Sequence, residues 1–197
     1  MVSIASVVAA THVVRMGARR AQSAFVFRTW GGRRRRAGRK PRGERRGVSH
    51  RARPALCARF PVHVTWRMRD AVGNLRTGQR VRLLRRAFLH ASRSSFQVVH
   101  HAIMGNHIHM LVEAHDARAL SRGMQGLGIR IARALRCGRV LADRYHAHIL
   151  TTPLEAQRVR RYLLDNAHHH FGTLGLDWCA SQTALHPPRT YLLRLTC

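Results

Sequence analysis

The chain has 197 residues, of which 36 are Lys or Arg and 8 are Asp or Glu, a formal net charge of +28. That balance excludes an acidic disordered protein and a metabolite enzyme with a neutral surface, while 45% hydrophobic residues are enough for a packed core. A compact chain this basic repels itself, so its natural partner is a polyanion, either nucleic acid or an acidic membrane surface. Lys40 is the only lysine. No run approaches the roughly 18 consecutive apolar residues of a membrane span, and no amphipathic helix joins the basic stretch, so no membrane partner is expected. Cys57, Cys137, Cys179 and Cys197 form no C-x-x-C pair. They make neither a disulfide framework nor a zinc ribbon, and they suit a reducing cytoplasm.

Residues 1–27 read as an N-terminal extension, mildly apolar to Val14, with Met16 as a second candidate start. Residues 28–60 read as a flexible arginine-rich arm. Between Arg28 and Arg59 there are 13 basic residues and one acid, Glu44, punctuated by glycine and proline. Its densest part holds Arg33, Arg34, Arg35, Arg36, Arg39, Lys40 and Arg42, the expected DNA-binding residues. Two readings of the arm stay open. It enters a narrow minor groove, where arginine meets an enhanced negative potential, or it is a solvated tail for any polyanion.

From Pro61 the texture becomes periodic. Val62, Val64 and Trp66 alternate with His63, Thr65 and Arg67, the pattern of a half-buried strand. Gln79–Ala91 carries Val81, Leu84, Phe88 and Leu89 at helical spacing. Phe96–Ile103 and His107–Ala114 are apolar runs joined by Met104-Gly105-Asn106, a hairpin. Ala117–Cys137 places Leu120, Met124, Leu127, Ile131 and Leu135 on one helical face. Ala147–Thr151 reads as a short strand. Thr152-Pro153-Leu154-Glu155 then opens a helix to about His170, with Thr as N-cap, Pro at the first position and Glu closing a capping box. Residues 171–197 are left as a C-terminal tail. The order βαββαβ, followed by one more helix, predicts an α+β fold. It is a ferredoxin-like antiparallel sheet with helices on one face, plus an additional C-terminal catalytic helix.

Among 15 histidines, three H-x-H pairs occur. His107 and His109 leave the same face of a strand, because residues i and i+2 do. Ile108, Met110 and Val112 take the opposite, core face. Two adjacent imidazoles on an exposed sheet face can chelate one metal ion, although such a pair is more often structural. His168 and His170 diverge on a helix, and His146 and His148 sit at a strand entry. Tyr162 and Asn166, four apart, share one face of the last helix. Tyrosine is a covalent nucleophile only when its phenol, which ionises near ~10, has a cation nearby. A metal on His107 and His109 would supply that cation and polarise a phosphodiester, with the Asn166 amide oxygen completing its ligands. The competing reading of Tyr162 is an ordinary aromatic of an amphipathic helix. Tyr145, beside Arg144, is either a second nucleophile or, preferably, a packing or stacking residue. Glu113 shares the face of the two histidines. It either orients one of them from behind or lines a solvated edge.

These residues resemble the HUH single-tyrosine transposases of the insertion-sequence 200 type, especially the REP-associated tyrosine transposases. The matching stretches are Pro61–Thr65, Met104–Glu113, Ala142–His146 and Tyr162–Asn166, within a domain of residues 61–170. The tail matches only loosely, around Pro188–Leu193. The resemblance implies an HUH endonuclease fold and Mg²⁺ or Mn²⁺ held by His107, His109 and Asn166. It makes Tyr162 the nucleophile on single-stranded or hairpin DNA, leaving a 5′-phosphotyrosine link and a free 3′-OH, with rejoining by reversal and no ATP. Paired imidazoles favour Mn²⁺ over Mg²⁺. The expected setting is bacterial, cytoplasmic and nucleoid-associated, as a monomer or homodimer. The alternative function is a non-catalytic DNA- or RNA-binding protein derived from such a transposase.

Overall fold

A computed structural model describes residues 53–172 and 175–196. The expected DNA-binding residues Arg33, Arg34, Arg35, Arg36, Arg39, Lys40 and Arg42 lie outside the described residues, as does the extension 1–27. The described chain runs β1 (Val62–Arg67), α1 (Gly78–Ala91), β2 (Phe96–Ile103), β3 (His107–Ala114), α2 (Ala117–Ala134), β4 (His146–Ile149), α3 (Pro153–Phe171) and α4 (Tyr191–Arg194). The four strands form one antiparallel sheet in the order β2-β3-β1-β4. The hairpin and both of its strands fall where the apolar runs placed them, closed by a bond from the Met104 N–H to the His107 carbonyl (2.9 Å).

Strand parity divides the sheet into two buried faces. Val62, Val64, Trp66, Ile108, Met110 and Val112 meet the apolar stripes of α1 and α2, including Leu84, Phe88, Met124 and Leu127. The helices start at side-chain caps, Thr77 for α1 and Asp116 for α2, each accepting from a backbone N–H one turn on. Close approach of α2 to β2 depends on Gly123, where a Cβ would stand 2.2 Å from the Phe96 ring. Leu89, expected in this core, is exposed instead, because the buried stripe of α1 runs through Val81, Leu84, Ala87, Phe88 and Ala91.

The opposite face corrects one expectation. α1 and α2 share one face and the additional helix α3 packs on the other, but the sheet around His109 is not exposed. Val99, Ala102 and Leu111 pack against Ala156 and Leu163 of α3 and against Ala180, Leu192 and Leu193 of the C-terminal segment. That segment also runs along the free edge of β2. The N–H groups of Ile103, Ser181 and Leu185 donate to the carbonyls of Cys179, His101 and Val99 at 2.8–3.0 Å, so the edge is not left open for another chain. Two carboxylates anchor it. Asp177 takes a bidentate bond from Arg76 (2.7 and 2.9 Å), which raises the Arg76 pKa above its ordinary value, mainly through that hydrogen bond. Glu113 accepts from Gln97 Nε2 (2.6 Å), the Thr190 N–H (2.8 Å) and hydroxyl (2.6 Å), and the Arg189 N–H (2.9 Å). Glu113 therefore clamps the C-terminal segment, a role that neither reading of the sequence gave it.

The last residues of the expected arm are already part of this unit. Leu56 joins the α1–α2 core, and Arg53 stacks its guanidinium 3.6 Å over the Tyr145 ring. No helix among the described residues is long and apolar enough to cross a membrane.

Candidate active site

The site forms where α3 crosses the second face of the sheet. The start of α3 is fixed by the expected capping box. The Glu155 N–H donates to Thr152 Oγ1, and the Thr152 N–H donates to a Glu155 carboxylate oxygen, both at 3.2 Å. With the first turn pinned, the helical phase turns Ala156, Leu163 and Asn166 inward. Tyr162 falls on the edge of that stripe, 40% exposed, with its ring against β3.

The structure brings Tyr162 and His109 together. The phenol oxygen lies 3.5 Å from His109 Nε2, and the rings meet edge-on at 5.2 Å. His107 stands beside His109, with ring centroids 4.8 Å apart. His107 Nδ1 is 2.9 Å from the Asn106 side-chain oxygen; if Nδ1 carries the proton, Nε2 is the lone-pair nitrogen. His109, only 5% exposed, lies with Nδ1 3.2 Å from His63 Nε2 and 3.2 Å from Thr65 Oγ1, both on β1. Register explains the meeting: Thr65 pairs with His109 across β1 and β3.

His63 was not singled out from the sequence. Its signal was parity, since it alternates with core residues and so faces the same side as His109. It stacks on His109 (5.4 Å, 25°) and touches the Tyr162 ring edge-on (6.2 Å). Burial, and then the positive potentials of His148 and His146, lower its pKa to about 4, so it is neutral at physiological pH. His146 and His148 are exposed on β4, opposite Thr65 and His63, and His148 lies 3.9 Å from Glu155.

Asn166 is fully buried, and neither its amide oxygen nor its nitrogen has a hydrogen-bond partner among the described residues. An orphaned buried amide is costly, on the order of 1–3 kcal/mol, and asks for an explanation. Among the described residues no group of three or more His, Cys, Asp or Glu could hold a metal ion. The expected donors are of another kind: two imidazoles with Nδ1 engaged behind them, and an amide oxygen with nothing bound to it. That set fits a divalent cation.

Tyr145, the other candidate nucleophile, is a packing residue. It is buried under Arg53, edge-on to Trp66 at 6.0 Å, and burial raises its phenol pKa.

The chain's fold is similar to that of a solved REP-associated tyrosine transposase. The TM-score is 0.55 at 16% sequence identity, covering 64% of this chain and 76% of that one. That protein was determined bound to a REP hairpin. At this identity the likeness is one of fold. No family model and no curated protein sequence matches the chain.

A basic surface lies on the other side of the sheet. Arg93, Arg118, Arg122 and Arg130 line a cleft of about 370 Å³ beside Phe96 and α2. Arg118, Arg122 and Arg130 recur at multiples of four residues, so they share one helix face. Among the described residues none of the four is in an ion pair. Asp116, in the same cleft, is committed to capping α2 through the Ala119 N–H (2.7 Å).

Proposed function

We propose that this protein cuts and rejoins single-stranded DNA at hairpin ends, as a transposase of the HUH tyrosine type on a ferredoxin-like domain. The observation that carries the reading is the contact of Tyr162 with His109, with the orphaned amide of Asn166 one helical turn further along α3. The sheet order β2-β3-β1-β4 and the structural neighbour with its DNA hairpin support it. The net charge of +28 and the arginine-lined cleft supply affinity for phosphates.

In this reading Tyr162 attacks the phosphorus of a DNA phosphodiester. A Tyr162 Oη–P bond forms and the P–O3′ bond breaks. The phenol proton leaves to solvent, which reaches the half-exposed ring, and the departing O3′ takes a proton up. One ester replaces another, so an incoming 3′-OH reverses the step without ATP. His107 and His109 through Nε2, and Asn166 through its amide oxygen, would hold Mn²⁺ or Mg²⁺. When bound, the ion would offer charge stabilisation at the phosphoryl oxygens. His109 and the α3 backbone position the Tyr162 ring, and the core behind α3 keeps it there.

The test is a denaturing gel of protein mixed with labelled hairpin oligonucleotides and Mn²⁺, including repeats that flank its own gene. A band that resists denaturant and vanishes in Tyr162→Phe is expected. Tight native binding without that band would overturn catalysis and leave a DNA- or RNA-binding protein on the same fold.

A further inference from the structure

We infer that His63 is a positioning residue that fixes which nitrogen of His109 carries the proton. The inference builds on the proposed function for what that tautomer serves, but it stands on geometry that exists in the protein alone. A neutral imidazole has one N–H and one lone pair. Whether His109 Nε2 accepts from the Tyr162 phenol, 3.5 Å away, or donates its lone pair to a cation, the proton must sit on Nδ1. Nδ1 points the other way, into β1, where His63 Nε2 and Thr65 Oγ1 each lie at 3.2 Å.

These two neighbours differ in what they enforce. A hydroxyl both donates and accepts, so Thr65 is compatible with either tautomer of His109. An imidazole nitrogen does one or the other. The 3.2 Å contact therefore couples the two rings: one nitrogen must donate and the other accept, so a His63 that carries its own proton on Nδ1 can only accept there and selects the Nδ1–H form of His109. The near-parallel stacking of the two rings (25°, 5.4 Å) holds the pair in place. His107 has a partner of the same kind in its neighbour Asn106, whereas His109 relies on a residue 46 positions earlier, brought to it by the β1–β3 register. The pattern is a ligand histidine backed through its second nitrogen, the arrangement that orients imidazoles around metals.

The experiment is ¹⁵N NMR of histidine-labelled full-length protein, metal-free, with the His109 signals assigned by their loss in His109→Gln. Wild type is expected to show the Nδ1–H tautomer. His63→Phe keeps a stacked ring without an acceptor and should move the proton to Nε2 or to a mixture. Thr65→Val should retain Nδ1–H, whereas His63→Gln, whose amide can turn either its oxygen or its nitrogen toward Nδ1, should give a mixture that still contains the Nδ1–H form. Mn²⁺ affinity, followed by the EPR signal of the free ion, should fall about 10–100-fold in His63→Phe, the usual cost of losing such a partner. It should fall much less in His63→Gln. An Nε2–H wild type, or an Nδ1–H form that survives His63→Phe, would overturn the inference. If instead the tautomer behaves as expected and wild type neither binds Mn²⁺ nor cuts DNA, the proposed function fails while the positioning role of His63 stands.

Discussion

Asn166 lies one helical turn beyond Tyr162 and is fully buried, whereas Tyr162 is 40% exposed. A single helix thus offers one group to solvent and withholds the other inside the fold. The Asn166 amide has no hydrogen-bond partner among the described residues, which a purely structural position would not tolerate well. Asn166→Leu keeps the branching at Cγ and removes the orphaned amide. It should stabilise the protein by about 1 kcal/mol in urea unfolding while abolishing Mn²⁺ binding and DNA cutting. A variant that is destabilised yet fully active would show that the amide serves the fold.

The arginine cleft is expected to bind nucleic acid phosphates. Replacing Arg118, Arg122 and Arg130 together by Gln should weaken binding of hairpin and unstructured DNA alike. The slope of log K against log salt should become shallower by about 2–3, the counterions released by three contacts. Filter binding across a salt series reads this directly. An unchanged slope would mean that these side chains remain solvated in the complex.

Gly123 is required where α2 meets β2. Gly123→Ala puts a Cβ 2.2 Å from the buried Phe96 ring, and neither partner can move without disturbing the core. The loss should be about 1–3 kcal/mol despite the better helix propensity of alanine. The companion change Gly126→Ala meets nothing within 4 Å, so it should be neutral or stabilising. The pair, compared by thermal unfolding, separates packing from propensity.

His101 makes stability sensitive to acid. It is buried against Phe88, and burial, with Arg85 adding to the effect, lowers its pKa from 6.5 to about 3. The unfolded chain therefore takes up a proton near pH 6.5 that the folded chain refuses. Stability is complete above that pH and falls as pH drops toward 3, by an amount on the order of a few kcal/mol. His100, lowered to about 4 mainly by burial, adds in the same direction. His101→Leu should flatten this acid limb between pH 6.5 and 4 in urea titrations. An unchanged limb would place the acid sensitivity elsewhere.

Much of this architecture was readable in the sequence because it follows from local rules. The hairpin, the N-cap of α3 and the stripes of α1 and α2 are set by residues close to one another in the chain. The shared face of His107 and His109 follows from strand parity alone. What was not readable depends on register and on long-range packing. His63 meets His109 only because β1 pairs with β3, and one slip would turn it to the other face. Glu113 is a clamp only because Thr190, 77 residues later, folds back onto it. Leu89 reads as core by spacing, yet the helix phase that buries Phe88 leaves it outside. The segment from Asp177 to Leu193 lacks a long periodic pattern, so its part in covering β2 and the second sheet face had no signal that spacing could detect.

The most direct measurement is the mass of the DNA–peptide adduct. The protein has three tyrosines, and their settings differ: Tyr145 is buried, Tyr191 is exposed on α4, and only Tyr162 faces His109. After reaction with a hairpin substrate and Mn²⁺, nuclease trimming and proteolysis, mass spectrometry should find the nucleotide on the peptide containing Tyr162, linked through its 5′ phosphate. A nucleotide on Tyr145 or Tyr191, or DNA cut with no nucleotide on any tyrosine, would contradict the account.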